Sequence, residues 1–353
     1  MSPSKIMTER LLVTALKGGK NTKIITLIGK KIRKMPSTLG KLPGLRTLDL
    51  QNNLICKICP ELSALTQLTL LNLGNNRLEE LPEEMKGLIS LKSLHLFGNK
   101  ICRIAAGVFD GLQELMMLNL NDNRLTSLPQ EVGRLKKLTR LSLNHNQLTT
   151  IPEELFSLRH LSELHLNYNQ LMCIPEEIKL LRNLQQLSVV RNNLEGLPEG
   201  LCHLRKLRIL DIAGNVIQTF PDGFQDLRLS EFYCEGNPLF LTQPNFATQH
   251  RDILTLREIA TRCILLQLEE DHPLILEAME YYPEIKDIFS QAKQCAICRK
   301  PFFSEWVECV QFVSLPKNWN ASKNLQQIPL RILLCSYECF DQRDTNVFGV
   351  FEE

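Results

Sequence analysis

An eleven-residue segment recurs along the chain at a nearly constant distance. Its clearest copy, 138–148, reads LTRLSLNHNQL, with leucine at places one, four, six and eleven and asparagine at place nine. The copies begin at Thr22, Leu45, Leu68, Leu91, Leu115, Leu138, Leu161, Leu184, Leu207 and Leu229, at intervals of 22 to 24 residues. Such a period predicts a solenoid, in which each repeat buries its apolar face against its neighbours.

The leucines follow neither the period of a helix alone nor that of a strand alone. They fit a short strand at places three to five that turns into a loop. We expect the strands to lie side by side in a parallel sheet, about 4.8 Å apart. Places one, four, six and eleven are then buried, and places two, three, five, seven and eight face the concave side.

Asparagine occupies place nine in nine of the ten repeats, and Lys30 takes that place in the first. The chain leaves the strand at this point, so backbone N–H and C=O groups are buried without a partner in the sheet. An amide side chain carries both a donor and an acceptor and can bond to them. We therefore predict a stacked column of asparagines, in which replacement by leucine costs about 1–3 kcal/mol.

The second half of most repeats has a pattern of its own. Segments such as LPEEMKGL, LPQEVGRL and IPEELFSL place proline after a buried leucine or isoleucine, then acidic residues and a short helical turn. This pattern and the 23-residue length resemble the intracellular leucine-rich repeats of the Ras-associated type, over Thr22 to about Phe240. The resemblance implies an α/β leucine-rich-repeat solenoid, a horseshoe with a concave parallel sheet. The fourth repeat (IAAGVFDGLQEL) is one residue longer and lacks the proline, so we expect a bulge on its outer face.

The regions outside the repeats (22–240) predict helical caps and a small module. Residues 1–21 contain an amphipathic segment, Thr8–Lys17, which we interpret as an N-terminal capping helix. Residues 241–272 predict a C-terminal helical cap over the last repeat, and 273–353 predict an α+β module with paired cysteines. The apolar face of the C-terminal cap has helical spacing and consists of Ile253, Leu256, Ile259, Ala260, Cys263 and Ile264.

The net charge and the hydropathy indicate which partners and which compartment to expect. The net charge is +2, with both signs interspersed, unlike the basic stripe of a nucleic-acid binder. The N-terminus lacks the apolar core of a signal peptide, and no stretch reaches the roughly 18 apolar residues of a membrane span. We expect a cytoplasmic monomer that binds neither nucleic acid nor membrane. Its twelve cysteines should then be reduced.

Four cysteines of the C-terminal module form two closely spaced pairs. They are Cys295, Cys298, Cys335 and Cys339. Four thiolates in such pairs suit a tetrahedral structural zinc, and the β-rich part of the module, about sixty residues from Lys293 onward, needs a staple of this kind. We predict one structural zinc here, and a small reduced core of buried cysteines is the alternative. The similar pair Cys56 and Cys59 lies inside a repeat whose places already account for it.

The segment after the repeats carries a further pattern, TLREIATRC at 255–263. It resembles the box through which substrate receptors of cullin ubiquitin ligases dock on elongin C: a small residue, leucine, three residues, a small residue and an apolar one. The resemblance implies that Leu256 inserts into the elongin C pocket, with Thr255, Ala260 and Cys263 beside it. Elongin B and a cullin would complete that assembly. A plain capping helix is the alternative interpretation of the same residues.

The predicted concave face is mostly polar at place five, and its larger side chains cluster in the middle repeats. Aromatic residues and arginines are typical of interface hot spots. We predict partner binding by His95, Phe97, Asn119, Arg140, His145, His165, Tyr168 and Arg191. A solvated face with scattered aromatics is the alternative.

The residue patterns offer no catalytic set, neither a phosphate-binding loop nor a nucleophile elbow, so we do not expect an enzyme. Two functions follow from the remaining features. The first, which we favour, is a scaffold that binds a protein partner on the concave face. The second is a substrate receptor of a cullin-RING ubiquitin ligase, which docks elongin C through the helix after the repeats.

Overall fold

The computed structural model describes residues 22–239, 254–270, 272–282, 284, 288–289, 291–321, 325–342 and 347–349. The predicted N-terminal capping helix, Thr8–Lys17, lies outside them. The chain forms two compact units, which we call the repeat unit and the tail unit. The repeat unit contains Met1–Ile217, Asp226–Asn237 and Lys317–Ser322. The tail unit contains Gln218–Gln225, Pro238–Pro316 and Lys323–Glu353.

Each of the ten repeats contributes one three-residue strand at places three to five, which confirms the predicted position. The strands are β1 (Ile24–Thr26), β2 (Thr47–Asp49), β3 (Leu70–Asn72), β5 (Ser93–His95), β7 (Met117–Asn119), β8 (Arg140–Ser142), β9 (Glu163–His165), β10 (Gln186–Ser188), β11 (Ile209–Asp211) and β13 (Glu231–Tyr233). They pair in parallel in this order. Equal places face each other, as in Arg140 opposite Glu163. A minor parallel pair joins β4 (Glu80–Leu81) to β6 (Arg103–Ile104).

The edge of the last repeat is covered by a segment far along the chain. Strand β17 (Asn320–Ala321) pairs in parallel with β13. Beside it, the Trp319 ring packs edge-on against Phe232, with ring centroids 5.4 Å apart, and its indole N–H donates to the Leu227 carbonyl at 3.2 Å. Strand β17 therefore occupies the outer edge of β13, and the expectation that the helix after the repeats covers the last repeat stays a prediction.

Within residues 22–239, nine short 3₁₀ helices follow the strands, one in the second half of each of the first nine repeats. They are Ser37–Lys41, Pro60–Ala64, Glu83–Gly87, Ala106–Asp110, Gln130–Arg134, Glu153–Ser157, Glu176–Leu180, Glu199–His203 and Phe224–Asp226. Proline precedes most of them because its fixed φ suits the entry to the turn. In the longer fourth repeat, Gly111 follows the turn as the extra residue. Only glycine fits there, since a Cβ would overlap the backbone oxygen of Lys86.

The core of the repeat unit consists of the leucines at places one, four, six and eleven, and Leu141 and Leu148 are fully buried. The predicted asparagine column is confirmed. Asn146 donates to the carbonyls of Leu143 at 3.1 Å and Leu120 at 3.0 Å, and its Oδ1 accepts from the Leu125 N–H at 3.1 Å. Each asparagine of place nine thus joins its own repeat to the preceding one. The same bonds recur at Asn53, Asn76, Asn99, Asn123, Asn169, Asn192, Asn215 and Asn237.

The tail unit combines helices with a mainly antiparallel sheet. Its helices are α1 (Leu256–Glu269), α2 (Pro273–Tyr281) and α3 (Tyr337–Asp341). The four-stranded sheet has the order β12 (Phe220–Pro221), β18 (Gln327–Leu334), β16 (Val307–Ser314) and β19 (Val347–Gly349). A small hairpin joins β14 (Lys293–Gln294) to β15 (Pro301–Phe302), and α1 packs against β15. Among the described helices, none has the length and apolarity to cross a membrane.

Helix α1 buries the face opposite to the predicted one. Leu256 is 85% exposed and Ile259 43% exposed, whereas Glu258, Thr261 and Leu265 are buried. The prediction that the apolar face packs inward was therefore wrong. The reason is that a polar group is buried instead. The Glu258 carboxylate accepts hydrogen bonds from a distant loop, and the spacing of apolar residues does not reveal such an interaction.

Candidate functional site

Place eight of every repeat has the left-handed backbone conformation, with φ between 52 and 72°. Bulky residues such as tyrosine and arginine are strained in this region, histidine is less so, and glycine, asparagine and aspartate are well tolerated. Seven repeats use those three residue types. Repeats six, seven and eight instead carry three large side chains. The ten residues are Gly29, Asn52, Asn75, Gly98, Asp122, His145, Tyr168, Arg191, Gly214 and Gly236.

The three large residues form one stack in the turns that follow strands β8, β9 and β10. The His145 and Tyr168 rings are parallel within 13°, with centroids 4.2 Å apart. The Arg191 guanidinium lies over the tyrosine ring, 5.3 Å from its centroid. All three are exposed, Tyr168 by 40%. Sequence reasoning selected each of them separately, and the structure brings them together.

A second asparagine column supports the stack from place seven. The amide oxygens of Asn121, Asn144 and Asn167 accept from the backbone N–H of Asn144, Asn167 and Val190, each at 2.8 Å. In the fifth repeat the corresponding N–H is bonded within its own strand, where Asn119 accepts from Asn121 at 3.0 Å. The sequence analysis missed this column, although asparagine at 23-residue spacing was its signal. The hydrogen bonds of this column fix the backbone of place seven, just before the left-handed residues of place eight.

An ion pair joins places three of repeats six and seven, five residues before the stacked residues of the same repeats. The Arg140 guanidinium makes two bonds to the Glu163 carboxylate, both 2.7 Å long. The imidazole of His165 lies 3.8 Å from the same carboxylate. Burial lowers the pKa of His165, an effect that the charge of Glu163 opposes. The predicted residues Arg140 and His165 therefore form one small charged group around Glu163.

The other predicted residues of this face lie elsewhere. Phe97, on repeat four, covers Gly74, where a Cβ would come within 2.5 Å of its ring. His95 is half-buried, and burial lowers its pKa. Asn119 uses its amide oxygen within its own strand, as described above. We find none of these three in the stack of repeats six to eight.

The predicted docking residues lie on the exposed side of α1 in the tail unit. Leu256, Ala260 and Cys263 are all exposed. Thr255 is the N-cap, since its hydroxyl accepts from the Glu258 N–H at 3.2 Å and donates to Glu305 at 2.6 Å. Thr255 precedes the helix, and Leu256, Ala260 and Cys263 lie on its exposed side within the first eight residues.

The opposite side of α1 holds a buried carboxylate that sequence reasoning missed. Glu258 accepts from Arg262 at 2.6 Å, from the backbone N–H of Phe303 at 3.0 Å and from that of Ser304 at 2.7 Å. Burial opposes its ionisation, but these hydrogen bonds outweigh burial and lower the pKa to about 2. Arg262 also donates to the Cys335 carbonyl at 2.7 Å. Helix α1 is thereby tied to the cysteine region by buried polar bonds.

The four cysteines of the tail unit converge. The sulfur atoms of Cys295, Cys298, Cys335 and Cys339 all lie within 4.8 Å of one another. Cys298 and Cys335 are 3.5 Å apart, and Cys335 and Cys339 are 3.6 Å apart. These distances exceed a disulfide bond, and tetrahedral zinc with bonds of about 2.3 Å separates its sulfurs by about 3.8 Å. The arrangement can hold a metal ion.

The backbone around the cluster favours thiolate at one sulfur. Burial raises the pKa of the Cys335 and Cys339 thiols. Cys295 is also buried, yet hydrogen bonds from the N–H groups of Cys298, Cys335 and Ile297 outweigh that effect and lower its pKa to about 7. Backbone donors of this kind orient a sulfur ligand and stabilise its charge.

Comparisons with known proteins agree with this fold. A family described as "Leucine rich repeat" matches residues 43–101, and one described as "Leucine-rich repeat region" matches 104–212. The chain is 70% identical over 344 residues to leucine-rich repeat-containing protein 69 of Homo sapiens, with 98% of this chain and 99% of that protein covered. It is 71% identical over 347 residues to the Mus musculus protein of that name, with 98% and 100% covered. Among solved structures, a chain in an octameric complex of Latrophilin 3, Unc5D and FLRT2 (LRR) matches with a TM-score of 0.56. Its identity is 26%, over 63% of this chain and 70% of that chain.

Proposed function

The chain belongs to the family of leucine-rich repeat-containing protein 69, and from that premise we propose that it is a non-catalytic scaffold that binds a protein partner. Leucine-rich repeat proteins generally act in protein–protein interaction, and the similar chain cited above is part of a multiprotein complex. The proposed binding surface is the sheet face of repeats six to eight. The protein would act as a cytoplasmic monomer, in contact with neither nucleic acid nor membrane.

One observation carries this proposal: the stack of His145, Tyr168 and Arg191 at left-handed positions. A residue held in this region costs of order 1–3 kcal/mol, and such strain clusters at functional sites. Glycine or asparagine would remove the strain, as Gly98 and Asn75 do at the same place. Large side chains at this place in three consecutive repeats therefore indicate a role in partner binding.

The chemistry of the stack suits a protein partner. Tyrosine and arginine are the residue types enriched at binding hot spots. The stack holds the tyrosine edge and the guanidinium in fixed positions before binding, which reduces the entropy lost on association. The Arg140–Glu163 pair, five residues earlier in repeats six and seven, adds charged groups to the strands of the same repeats. A partner with an apolar or aromatic anchor and flanking charges would match this surface.

The hydroxyl groups beside the stack support a non-catalytic role. The Ser142 hydroxyl donates to Asn121 at 2.7 Å, and the Ser188 hydroxyl donates to Asn167 at 2.8 Å. Both serines therefore serve the asparagine column. A nucleophilic serine would instead donate to a general base.

The test is affinity capture from cells with a triple variant, His145→Asn, Tyr168→Asn and Arg191→Asn. Asparagine is chosen because the neighbouring Asn52 and Asn75 show that it fits place eight. We expect the wild-type partner to be lost from the variant. A control triple variant, Thr149→Ala, Met172→Ala and Glu195→Ala, changes exposed residues of the same repeats outside the strands and should retain it. Equal recovery with both triple variants contradicts the proposal.

We also propose that the four-cysteine cluster holds one structural zinc. The convergence of four sulfurs and the backbone donors around Cys295 support this assignment. Four sulfur ligands leave no open position, so the ion would stabilise the tail unit and supply no catalysis. Metal analysis of the full chain should give one zinc per chain, and Cys335→Ser should remove it. The control, Cys59→Ser in the similar pair of the second repeat, should leave the zinc in place. A folded wild-type chain without zinc contradicts the assignment.

A second candidate function is a substrate receptor of a cullin-RING ubiquitin ligase. The observation that favours it is the exposed apolar side of α1, where Leu256 is 85% exposed. On this hypothesis, Leu256 docks on elongin C while the repeats hold the substrate. Elongins B and C should then co-purify with the chain, and Leu256→Arg should release them. A control, Leu274→Arg on α2, changes a leucine that is 69% exposed and should have no effect. If the elongins are absent from the wild-type sample, this candidate is wrong.

A further inference from the structure

A positively charged concavity opens on the outer loops of repeats seven and eight. Its volume is about 560 Å³, and it is lined by Lys179, Leu180, Arg182, His203, Arg205 and Lys206. The four lysine and arginine side chains are exposed. Leu180 adds an apolar wall that is 45% exposed. All six residues belong to the repeat unit, and none lies on the sheet face.

Part of the positive charge comes from one place of the repeat that is basic in several consecutive copies. Lys136, Arg159, Arg182 and Arg205 occupy the same place, two residues before the next repeat, at intervals of 23 residues. Equal places of neighbouring repeats lie about one strand spacing, or about 4.8 Å, apart. The corresponding residues of repeats two to four are uncharged (Thr66, Ile89 and Gln113). The basic column is therefore confined to repeats five to eight.

The charges of this region lack the compensation found elsewhere in the repeat unit. In earlier repeats, basic side chains form ion pairs with carboxylates of the same or the neighbouring repeat, as in Lys86 with Glu83, Arg103 with Glu80 and Lys137 with Glu114. Within the described part of the chain, no ion pair is formed by Arg159, Lys179, Arg182 or Arg205.

Two polar side chains of repeat seven, Asn183 and Glu176, already accept hydrogen bonds from repeat eight. Lys206 donates to the neutral amide oxygen of Asn183 at 2.6 Å. The carboxylate of Glu176 accepts from the backbone N–H of Glu199 at 3.0 Å and from that of Gly200 at 2.6 Å. The lining of the concavity itself contains four cations and no carboxylate.

We propose that this concavity binds the phosphate group of a phosphorylated serine or threonine on a protein partner. A phosphomonoester carries a charge of about −1.5 to −2 at pH 7, which matches several unpaired cations better than a single carboxylate does. Arginine binds phosphate through two parallel N–H bonds, and Arg182 and Arg205 stand on adjacent repeats. Clusters of arginine are a recurring means of recognising phosphorylated peptides.

The other polyanions fit the same residues less well. Single-stranded nucleic acid needs aromatic platforms for its bases, and the lining has only the imidazole of His203. The chain has a net charge of only +2, which gives little general attraction for a long polyanion. The single exposed Leu180 beside the cations suits the side chain next to a phosphorylated residue. This site goes beyond the proposed function, because it shares no residue with the stack.

The test uses the purified full chain and two fluorescent peptides of one sequence, Gly-Ser-Leu-Gly, with the serine phosphorylated in one. We expect the phosphorylated peptide to bind at least tenfold more tightly, and inorganic phosphate to compete with it. The double variant Arg182→Gln and Arg205→Gln should reduce its affinity at least tenfold. A control with the same loss of charge, Lys86→Gln and Arg103→Gln, should change it less than twofold. Circular dichroism should show both variants to be folded.

Three results would overturn the proposal. The first is equal affinity for both peptides, or no binding of either at millimolar concentration. The second is an equal loss in both double variants, which would indicate general charge attraction. The third is binding of a single-stranded oligonucleotide, or of phosphatidylserine vesicles, that depends on Arg182 and Arg205 while the phosphopeptide does not bind. None of these results depends on whether the sheet face binds its partner, so the two proposals fail separately.

Discussion

The strain at Tyr168 predicts an inverted order of stability between glycine and alanine. In most strands and helices, a protein with glycine at a given position is less stable than one with alanine by roughly 0.5–1 kcal/mol, because glycine makes the unfolded chain more flexible. Tyr168 has a φ of 56°, where a Cβ costs roughly 1–2 kcal/mol. The difference between these two effects favours glycine. We therefore expect Tyr168→Gly to be more stable than Tyr168→Ala by about 0.5–1 kcal/mol.

Both variants lose the same contacts of the ring. These are the stack on His145, worth about 0.5–1.5 kcal/mol, and the Arg191 contact, worth about 0.5–1 kcal/mol at an exposed site. Tyr168→Ala should therefore lie about 1–2.5 kcal/mol below the wild type. Since the losses are common to both, the comparison of glycine with alanine isolates the backbone strain.

Urea denaturation followed by circular dichroism measures this difference. A matched pair, Gln186→Ala and Gln186→Gly, changes the strand β10 of the next repeat. Gln186 has no positive φ, so alanine should be the more stable there by roughly 0.5–1 kcal/mol. If Tyr168→Ala is as stable as Tyr168→Gly, or more stable, place eight is not strained and the reasoning from strain to function is refuted.

Three further predictions concern the scaffold and the tail unit. Asn146→Ala removes three hydrogen bonds to buried backbone groups and should lower the free energy of unfolding by about 3 kcal/mol, measured by urea denaturation; the less buried Asn237→Ala should lose less, and an equal loss would contradict the role of burial. The pKa of Glu258 falls to about 2 in the folded chain. Its stabilising contribution is therefore complete above its ordinary pKa of 4.5 and disappears as the pH falls toward 2. The melting temperature of the tail unit should fall in that pH window, and Glu258→Gln should make the melting temperature less dependent on pH. Treatment of the zinc-loaded chain with a strong chelator should lower the melting temperature of the tail unit and leave that of the repeat unit unchanged, as seen by calorimetry; Cys335→Ser should already melt at the lower temperature without chelator, and identical profiles would count against a structural metal.

The repeat unit was predictable because its rules act within a few residues or at one fixed period. Leucine spacing set the strands at places three to five, and the asparagine of place nine had a physical reason in unpaired backbone groups. The convergence of the four cysteines also followed from their spacing. The large residues of the middle repeats were selected by type alone, while the left-handed backbone that makes them informative is set by the turn.

The tail unit was less predictable because its contacts join distant parts of the chain. Glu258 bonds to Phe303 and Ser304, some 45 residues away, and these polar bonds reversed the buried face of α1. Within the repeat unit, strand β17 likewise pairs with a repeat almost ninety residues before it, as Glu231 opposite Asn320 shows. A two-residue strand carries no periodic signal that the sequence could reveal.

The central claim is that a protein partner contacts the stack of repeats six to eight. Hydroxyl-radical footprinting of the full chain, with and without the partner recovered by affinity capture, tests it directly. Tyr168 is 40% exposed and Met172, in the same repeat but outside the strand, is 67% exposed. The proposal predicts that the partner slows oxidation of Tyr168 several-fold and leaves Met172 unchanged. Unchanged oxidation of Tyr168 in a saturated complex would contradict the claim.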